Sequence, residues 1–319
     1  MLLKAAVIGA GKMGSYHANI YQQLPETQLV GLSVNSRKTA RQQNIKYSVP
    51  VFIDYQKLIN QLHPDIVSIA SPTSTHVEIA KHCLAQKIHV LLEKPIAPTL
   101  QQVQQLQSFH EKLKSPPVLM IGFIERFNPV VVEAKKLINR RKLGRLRLYS
   151  ATRSGPRPPK PGSDVLLDLG IHDLDLFHHL TNQSLVENTN RSQPTKTFIQ
   201  QSPQSSHPDY VALSSYTDSN LIFHLQTDWL RYTPQRETRI VGDKGELHLN
   251  FLTKQLNFIS SNGQSKPIKT DTNVNQLEKE IHSFVSAVRK GQPSPVPISQ
   301  VLFAHQIYDR VLNRLNNIS

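Results

Sequence analysis

With 319 residues, 38% of them hydrophobic and 19% charged, the chain is long enough for two globular domains and too apolar to be disordered. Its formal charge of +14 is scattered, with only short clusters such as Lys135-Lys136 and Arg140-Arg141-Lys142 on a helix face, which argues for small anionic ligands and against a nucleic-acid partner. Its single cysteine, Cys83, excludes an internal disulfide or a cysteine-built zinc cluster, no apolar run approaches the roughly 20 residues that cross a bilayer, and no signal-peptide pattern precedes the first strand, so a cytoplasmic protein with no membrane partner is expected.

Leu3 to Ile8 reads as a buried strand that runs into Gly9, Gly11 and Gly14 and then into a helix, Ser15 to Leu24. The spacing fits G-x-G-x-x-G. Gly9 permits a tight turn, Gly11 a close approach of the backbone to a pyrophosphate, and Gly14 close packing of helix on strand. Lys12 and Met13 begin that helix, whose free N–H groups and positive dipole end point at the phosphates. Strands and helices then alternate: Leu29–Val34 and Arg37–Asn44, Val51–Ile53 and Tyr55–Leu62, Ile66–Ala70 and Thr75–Ala85, Ile88–Leu92 and Leu100–Lys114, and finally Val118–Ile121. Strands apolar on both faces and separated by helices predict a parallel, doubly wound α/β sheet, a Rossmann domain over residues 1–122. Cys83 falls in the helix before the fifth strand, where an inert buried thiol is expected.

After Gly122 the rhythm changes. A basic helix, Pro129–Lys142, leads to a strand, Leu146–Thr152, and to the proline-rich Gly155-Pro-Arg-Pro-Pro-Lys-Pro-Gly162, read as irregular. An apolar helix follows at Val165–Leu180, then a polar loop at Ser192–Pro208. Strands are expected at Val211–Tyr216, Leu221–Trp229, Glu237–Val241, Glu246–Phe251 and Gln255–Ile259, with turns at Asp243-Lys-Gly245 and Ser261-Asn-Gly263. Helices Val274–Lys290 and Ser299–Leu315 close the chain. The prediction is a C-terminal α+β domain, residues 123–319, with an open, mostly antiparallel sheet.

On the cofactor side, the second strand ends in Asn35-Ser36-Arg37-Lys38 without the acidic residue that grips a ribose 2′-hydroxyl. Ser36 with Arg37 and Lys38 would accommodate a 2′-phosphate, and Asn35 could still bond a ribose, so NADP is favoured over NAD with both open. Ser71, Pro72 and Thr73 follow the fourth strand at the ligand-binding edge; His76 is either a further contact or a capping and packing residue. The fifth strand ends in Glu93-Lys94-Pro95, with Glu93 counted among the cofactor contacts and the Lys94-Pro95 bond a candidate for the cis form. Lys94 at that edge would hydrogen-bond a substrate hydroxyl and lower the cost of its losing a proton. Asp168 and His172, four apart on an otherwise apolar helix, suit general base work, the carboxylate orienting the ring, with Gly170 between them leaving room for a ligand. Asp175 could join them as a metal ligand by residue type, but no fuller ligand set is present and no metal is expected. His178 and His179 read as helix surface or interface.

In order, Gly9-x-Gly11-x-x-Gly14, Ser71-Pro-Thr73-x-x-His76, Glu93-Lys94-Pro95 and Asp168-x-x-x-His172 resemble the motifs of the Gfo/Idh/MocA oxidoreductase family. The resemblance implies a nucleotide domain followed by a domain whose open sheet often forms a dimer interface, hence a homodimer or homotetramer. It implies NAD(P)-dependent oxidation or reduction of a sugar or cyclitol carbon, with Lys94 as catalytic lysine and His172 and Asp168 as acid/base pair. Gly122-Phe-Ile-Glu125-Arg126-Phe-Asn128-Pro and Gly155-Pro-Arg-Pro-Pro narrow the likeness to the UDP-N-acetylglucosamine 3-dehydrogenase branch. A diphosphate substrate would suit the basic balance, with Arg126, Arg153 and Arg157 as phosphate contacts and Asn128 beside them. A free sugar, inositol or other polyol as substrate, and a cofactor-binding regulator without chemistry, are the alternatives.

Overall fold

The computed structural model describes residues 2–159, 163–186, 195–202 and 207–316. The chain divides into two compact units, residues 1–124 with 277–302, and residues 125–276 with 303–319. Of the residues expected to form the C-terminal domain, 123–319, the stretch 277–302 belongs to the first unit.

In the first unit, β1 (Leu3–Ile8), β2 (Thr27–Ser33), β3 (Val51–Phe52), β4 (Ile66–Ile69), β5 (His89–Glu93) and β6 (Leu119–Gly122) form a parallel sheet in the order β3-β2-β1-β4-β5-β6. The helices between them are α1 (Lys12–Gln23), α2 (Arg37–Tyr47), α3 (Tyr55–Leu62), α4 (His76–Ala85) and α5 (Leu100–Glu111). Ala5, Val7, Val67, Ile69, Val90 and Leu92 are buried, as strands covered on both faces require. Side-chain caps fix where three helices begin: Ser36, Asp54 and Thr99 accept from the backbone N–H groups of Thr39, Gln56 and Gln102. The strand order reverses between β1 and β4, which opens a crevice at the carboxyl ends of those strands.

In the second unit come α6 (Pro129–Asn139), β7 (Leu146–Pro156), α7 (Ile171–Thr181), β8 (Lys196–Gln200), β9 (Tyr210–Tyr216), β10 (Ile222–Asp228), β11 (Leu230–Gly242), β12 (Gly245–Asn250), β13 (Gln255–Ser260) and β14 (Ser265–Ile268). Their eight strands lie in the order β14-β13-β12-β11-β7-β10-β9-β8, every neighbouring pair antiparallel except β7 with β10. Of the turn expected at Asp243-Lys-Gly245, Asp243 and Lys244 join β11 to β12 and Gly245 opens β12, and Ser261-Asn-Gly263 joins β13 to β14. Tyr149, Phe177 and Phe223 meet at ring centroid distances of 4.8 to 5.9 Å in the core between the sheet and α7. The chain ends in α8 (Gln276–Lys290) and α9 (Ile298–Asn316).

Three expectations change. The polar loop Ser192–Pro208 contains β8, an edge strand pairing with β9; residues 192–194 and 203–206 lie outside the described set. Pro156, read as irregular, ends β7 opposite Leu230, since a strand's last residue need not donate to the ladder; Lys160–Gly162 lie outside the described residues. The helix read from Val165 opens with a π turn, Leu166–Gly170, before α7 begins.

Candidate functional site

The glycine-rich turn is built by close approach. Gly9 has φ +93°, and a methyl group on it would stand 2.4 Å from the Ser71 nitrogen, so no side chain fits between the ends of β1 and β4. On Gly14 a methyl group would stand 2.1 Å from the Gly9 carbonyl oxygen, so its absence lets α1 press on the turn. At Gly11, by contrast, a methyl group would meet nothing within 4 Å, so this backbone faces open space at the start of α1. Beside it runs a cleft of about 750 Å³ lined by Gly9, Gly11, Asn35, Ser71 and Pro72, as expected, and also by Thr39, Ile53, Tyr55, Thr75 and Glu78. Ile53 and Tyr55 carry no motif, but they follow the carboxyl end of β3, the edge where ligands collect. Lys12, Arg37 and Lys38 are exposed, Met13 and Thr73 half-buried. Ser36 accepts a hydrogen bond from Thr39 N–H, so its hydroxyl serves the helix start. Among the described residues no three His, Cys, Asp or Glu side chains are grouped as a metal site.

The remaining expected contacts of this unit turn inward. His76 is buried, with Nδ1 2.9 Å from the Pro95 carbonyl and Nε2 2.8 Å from the Ser71 carbonyl. Burial holds its pKa below the ordinary histidine value, against the pull of those carbonyls. It ties the turn after β4 to the cis Lys94-Pro95 segment after β5, the packing role that the sequence left open beside a cofactor contact. Glu93 is also buried. His17 Nε2–H donates to Glu93 Oε1 at 2.9 Å, the carboxylate being able only to accept, and the Lys94 N–H donates to Oε2 at 3.2 Å. Ser68 Oγ lies 2.9 Å from His17 Nδ1 and 2.8 Å from the Tyr21 hydroxyl, so a polar chain runs from α1 through β4 to the end of β5. Sequence reasoning missed His17; its signal was a lone histidine on the inner face of α1, three residues after Gly14. It missed Glu280 on α8 as well, whose carboxyl is fully buried with neither oxygen hydrogen-bonded. Burial and the nearby Glu93 charge hold that carboxyl well above the usual range. Lys94 itself is partly exposed at the end of β5.

In the second unit the π turn Leu166–Gly170 carries Asp168, partly exposed, and delivers the chain to His172, buried in the first turn of α7. Such single π turns recur where a helix must aim a side chain. Asp164 fixes its start: Oδ1 accepts from Leu166 and Leu167 N–H at 2.9 and 3.0 Å, and Oδ2 accepts from the Tyr308 hydroxyl at 2.7 Å. Gly170 does not leave room for a ligand. A methyl group there would stand 3.1 Å from Thr227 Cγ2, so its smallness seats the turn against β10. Beneath α7 lies a buried ion network. Arg153 donates from Nε to Asp173 at 2.5 Å and from Nη1 to Glu125 at 2.9 Å, and Arg126 clamps Asp175 through Nε and Nη2 at 2.8 and 2.6 Å. Asn128 accepts from Val130 N–H to cap α6 and donates to Glu125 at 3.0 Å. The polar ends of Arg126, Arg153 and Asn128 are thus buried against Asp175, Asp173 and Glu125. Arg157 is only partly buried, 3.5 Å from Asp209 and with its guanidinium 5.9 Å from the Trp229 ring centroid.

The family description "Oxidoreductase family, NAD-binding Rossmann fold" matches residues 3–123, and "GFO/IDH/MocA C-terminal domain" matches residues 131–248. The chain belongs to the Gfo/Idh/MocA oxidoreductase family. Among curated members it is 27% identical over 191 residues to myo-inositol 2-dehydrogenase of Thermotoga maritima, covering 58% of this chain and 57% of that one. It is 30% identical over 186 residues to UDP-N-acetylglucosamine 3-dehydrogenase of Acidithiobacillus ferrooxidans, covering 58% and 56%. In these alignments the chain spans a little over half the length of the curated relatives. The solved structure of that Acidithiobacillus enzyme superposes with a TM-score of 0.85 at 23% identity, over 98% of this chain and 97% of that one, and so shares its fold.

Proposed function

We propose that the chain oxidises a secondary hydroxyl of a sugar or polyol using a nicotinamide dinucleotide, and that the substrate is a UDP-N-acetylhexosamine oxidised at its 3-hydroxyl to a ketone. The observation that carries the reading is that the open Gly11 backbone at the start of α1 and the Glu93-Lys94-Pro95 segment lie at the same carboxyl edge of one sheet. The residues fit a dinucleotide: the cradle at Gly9 and Gly11 would hold its pyrophosphate, and Asn35 and Tyr55 line the cleft for its adenosine half. When bound, the dinucleotide supplies the hydride acceptor. Lys94 donates a hydrogen bond to the substrate hydroxyl oxygen and lowers the cost of its deprotonation. His172 takes the hydroxyl proton, and Asp168 orients the ring and stabilises its protonated form. The exposed Arg37 and Lys38, with no acid at the end of β2, favour NADP over NAD. A homodimer or homotetramer in the cytoplasm is the assembly we expect.

The test compares wild type, Lys94→Ala and His172→Ala with nucleotide sugars and both cofactors. Each substitution should lower kcat by roughly two to four orders of magnitude. Unchanged turnover in both variants would refute the assigned roles. A second reading, oxidation of a free cyclitol, is supported by the similarity to a relative named myo-inositol 2-dehydrogenase. It predicts equal turnover with and without a UDP group. A regulator that only binds the cofactor would need none of Lys94, Asp168 and His172, which weighs against that role.

A further inference from the structure

Arg236 on β11 stands directly across from Arg153 on β7. Residues so paired on adjacent antiparallel strands point to the same face, and opposed like charges are unfavourable there. The face is the one on which Thr238 and Ala151 are buried and against which Gly170 seats its turn through Thr227 on β10. Arg153 is neutralised by Glu125 and Asp173. Arg236 is not: it is half-buried, and among the described residues its guanidinium makes no hydrogen bond and no ion pair. Burial, then the Arg153 charge, lowers its pKa, while Glu125, Asp173 and Asp168 oppose that shift, which puts Arg236 in the electrostatic neighbourhood of Asp168. A half-buried guanidinium beside another cation, with five donors and no acceptor, is suited to bind an anion.

We propose that Arg236 is a specificity-determining residue that binds the diphosphate of a nucleotide-sugar substrate in the second unit. The inference rests on the functional reading above and deepens it by naming the group that separates phosphorylated from neutral sugars. Arginine suits the task, since its planar fork can hold two phosphate oxygens at once. The same chemistry could serve the pyrophosphate of the dinucleotide, so the test separates the two sources.

UDP would be titrated calorimetrically into the whole protein with the cofactor site saturated by NAD+ or NADP+, using wild type, Arg236→Gln and Arg236→Lys. Arg236→Gln should weaken UDP binding roughly ten- to a hundredfold, and Arg236→Lys should restore part of it. Cofactor affinity, titrated separately, should stay within about twofold of wild type in both variants. Absence of UDP binding by wild type, equal UDP affinity in wild type and Arg236→Gln, or a loss confined to cofactor affinity would each overturn the proposal. So would a fall in unfolding temperature with unchanged UDP affinity, which would make Arg236 a structural counter-charge. If UDP binds through Arg236 yet no sugar reduces the cofactor, the functional reading fails and this one stands.

Discussion

Replacing Arg153 by methionine should destabilise the second unit by an amount that is largest near neutral pH and shrinks as pH falls. Arg153 is the largest fully buried side chain among the described residues, and its guanidinium joins Glu125 and Asp173. Burial alone pushes the Glu125 carboxyl up, and the Arg153 charge with its hydrogen bonds more than reverses this, leaving that pKa lowered. For Asp173, burial prevails over Arg153 and its pKa is raised. Methionine keeps much of the volume but removes the cation, so two buried carboxylates lose their partner. Breaking a buried pair from one side costs about 3–5 kcal/mol, which for a unit of this size lowers its unfolding temperature by roughly 6 to 20 °C. In wild type the lowered Glu125 pKa contributes stability above its unfolded value that is lost as pH falls. In the variant both carboxyls favour the neutral form, so the penalty is full above their unfolded values and is relieved as pH falls. Calorimetric unfolding at about pH 7 and about pH 5 measures both effects, and the further changes Glu125→Gln and Asp173→Asn should recover much of the loss. A loss below about 1 kcal/mol at neutral pH, or a loss independent of pH, would refute the reasoning.

Other outcomes follow from the same packing. Gly14→Ala puts a methyl group 2.1 Å from the Gly9 carbonyl, so α1 must shift and cofactor affinity, read by nucleotide fluorescence, should fall by more than about tenfold. Glu280→Gln should raise the stability of the first unit above about pH 6 and leave it unchanged below about pH 4, because the raised carboxyl pKa means the folded state resists an ionisation that the unfolded chain undergoes freely. His179, whose pKa burial and then Arg126 and Lys135 lower to about 3, is neutral in the folded chain and costs stability as pH falls below its ordinary value. His179→Gln should flatten that acid loss, measured as the slope of unfolding free energy against pH. Cys83, its thiol pushed up to about 12 by burial, should resist thiol reagents until the chain unfolds.

Some of this was legible in the sequence because the chemistry is local. An apolar strand, three glycines at fixed spacing and a helix leave one geometry, and Gly9 and Gly14 show the contacts that forbid a side chain. The edge strand Lys196–Gln200 was hidden by a lysine, a threonine and a glutamine in a half-exposed strand, which read as a polar loop. The return of α8 to the first unit was hidden for another reason. The spacing of Leu277, Ile281 and Phe284 shows that a face is buried but not against which sheet. Nothing local in the sequence marks Arg126, Arg153 and Glu93 as buried, and each is turned inward to a partner far off in the chain: 49 residues from Arg126 to Asp175, 28 from Arg153 to Glu125 and 76 from Glu93 to His17. Arg236 carried no motif and emerged only from strand register.

The most direct test of the account is the near-ultraviolet absorbance of reduced nicotinamide when UDP-N-acetylglucosamine is added to the purified protein with NAD+ and, separately, with NADP+. Absorbance should rise, more with NADP+ than with NAD+, and the rise should be lost in Lys94→Ala and His172→Ala. No rise with this or any other sugar or cyclitol, while calorimetry shows the cofactor bound, would contradict it.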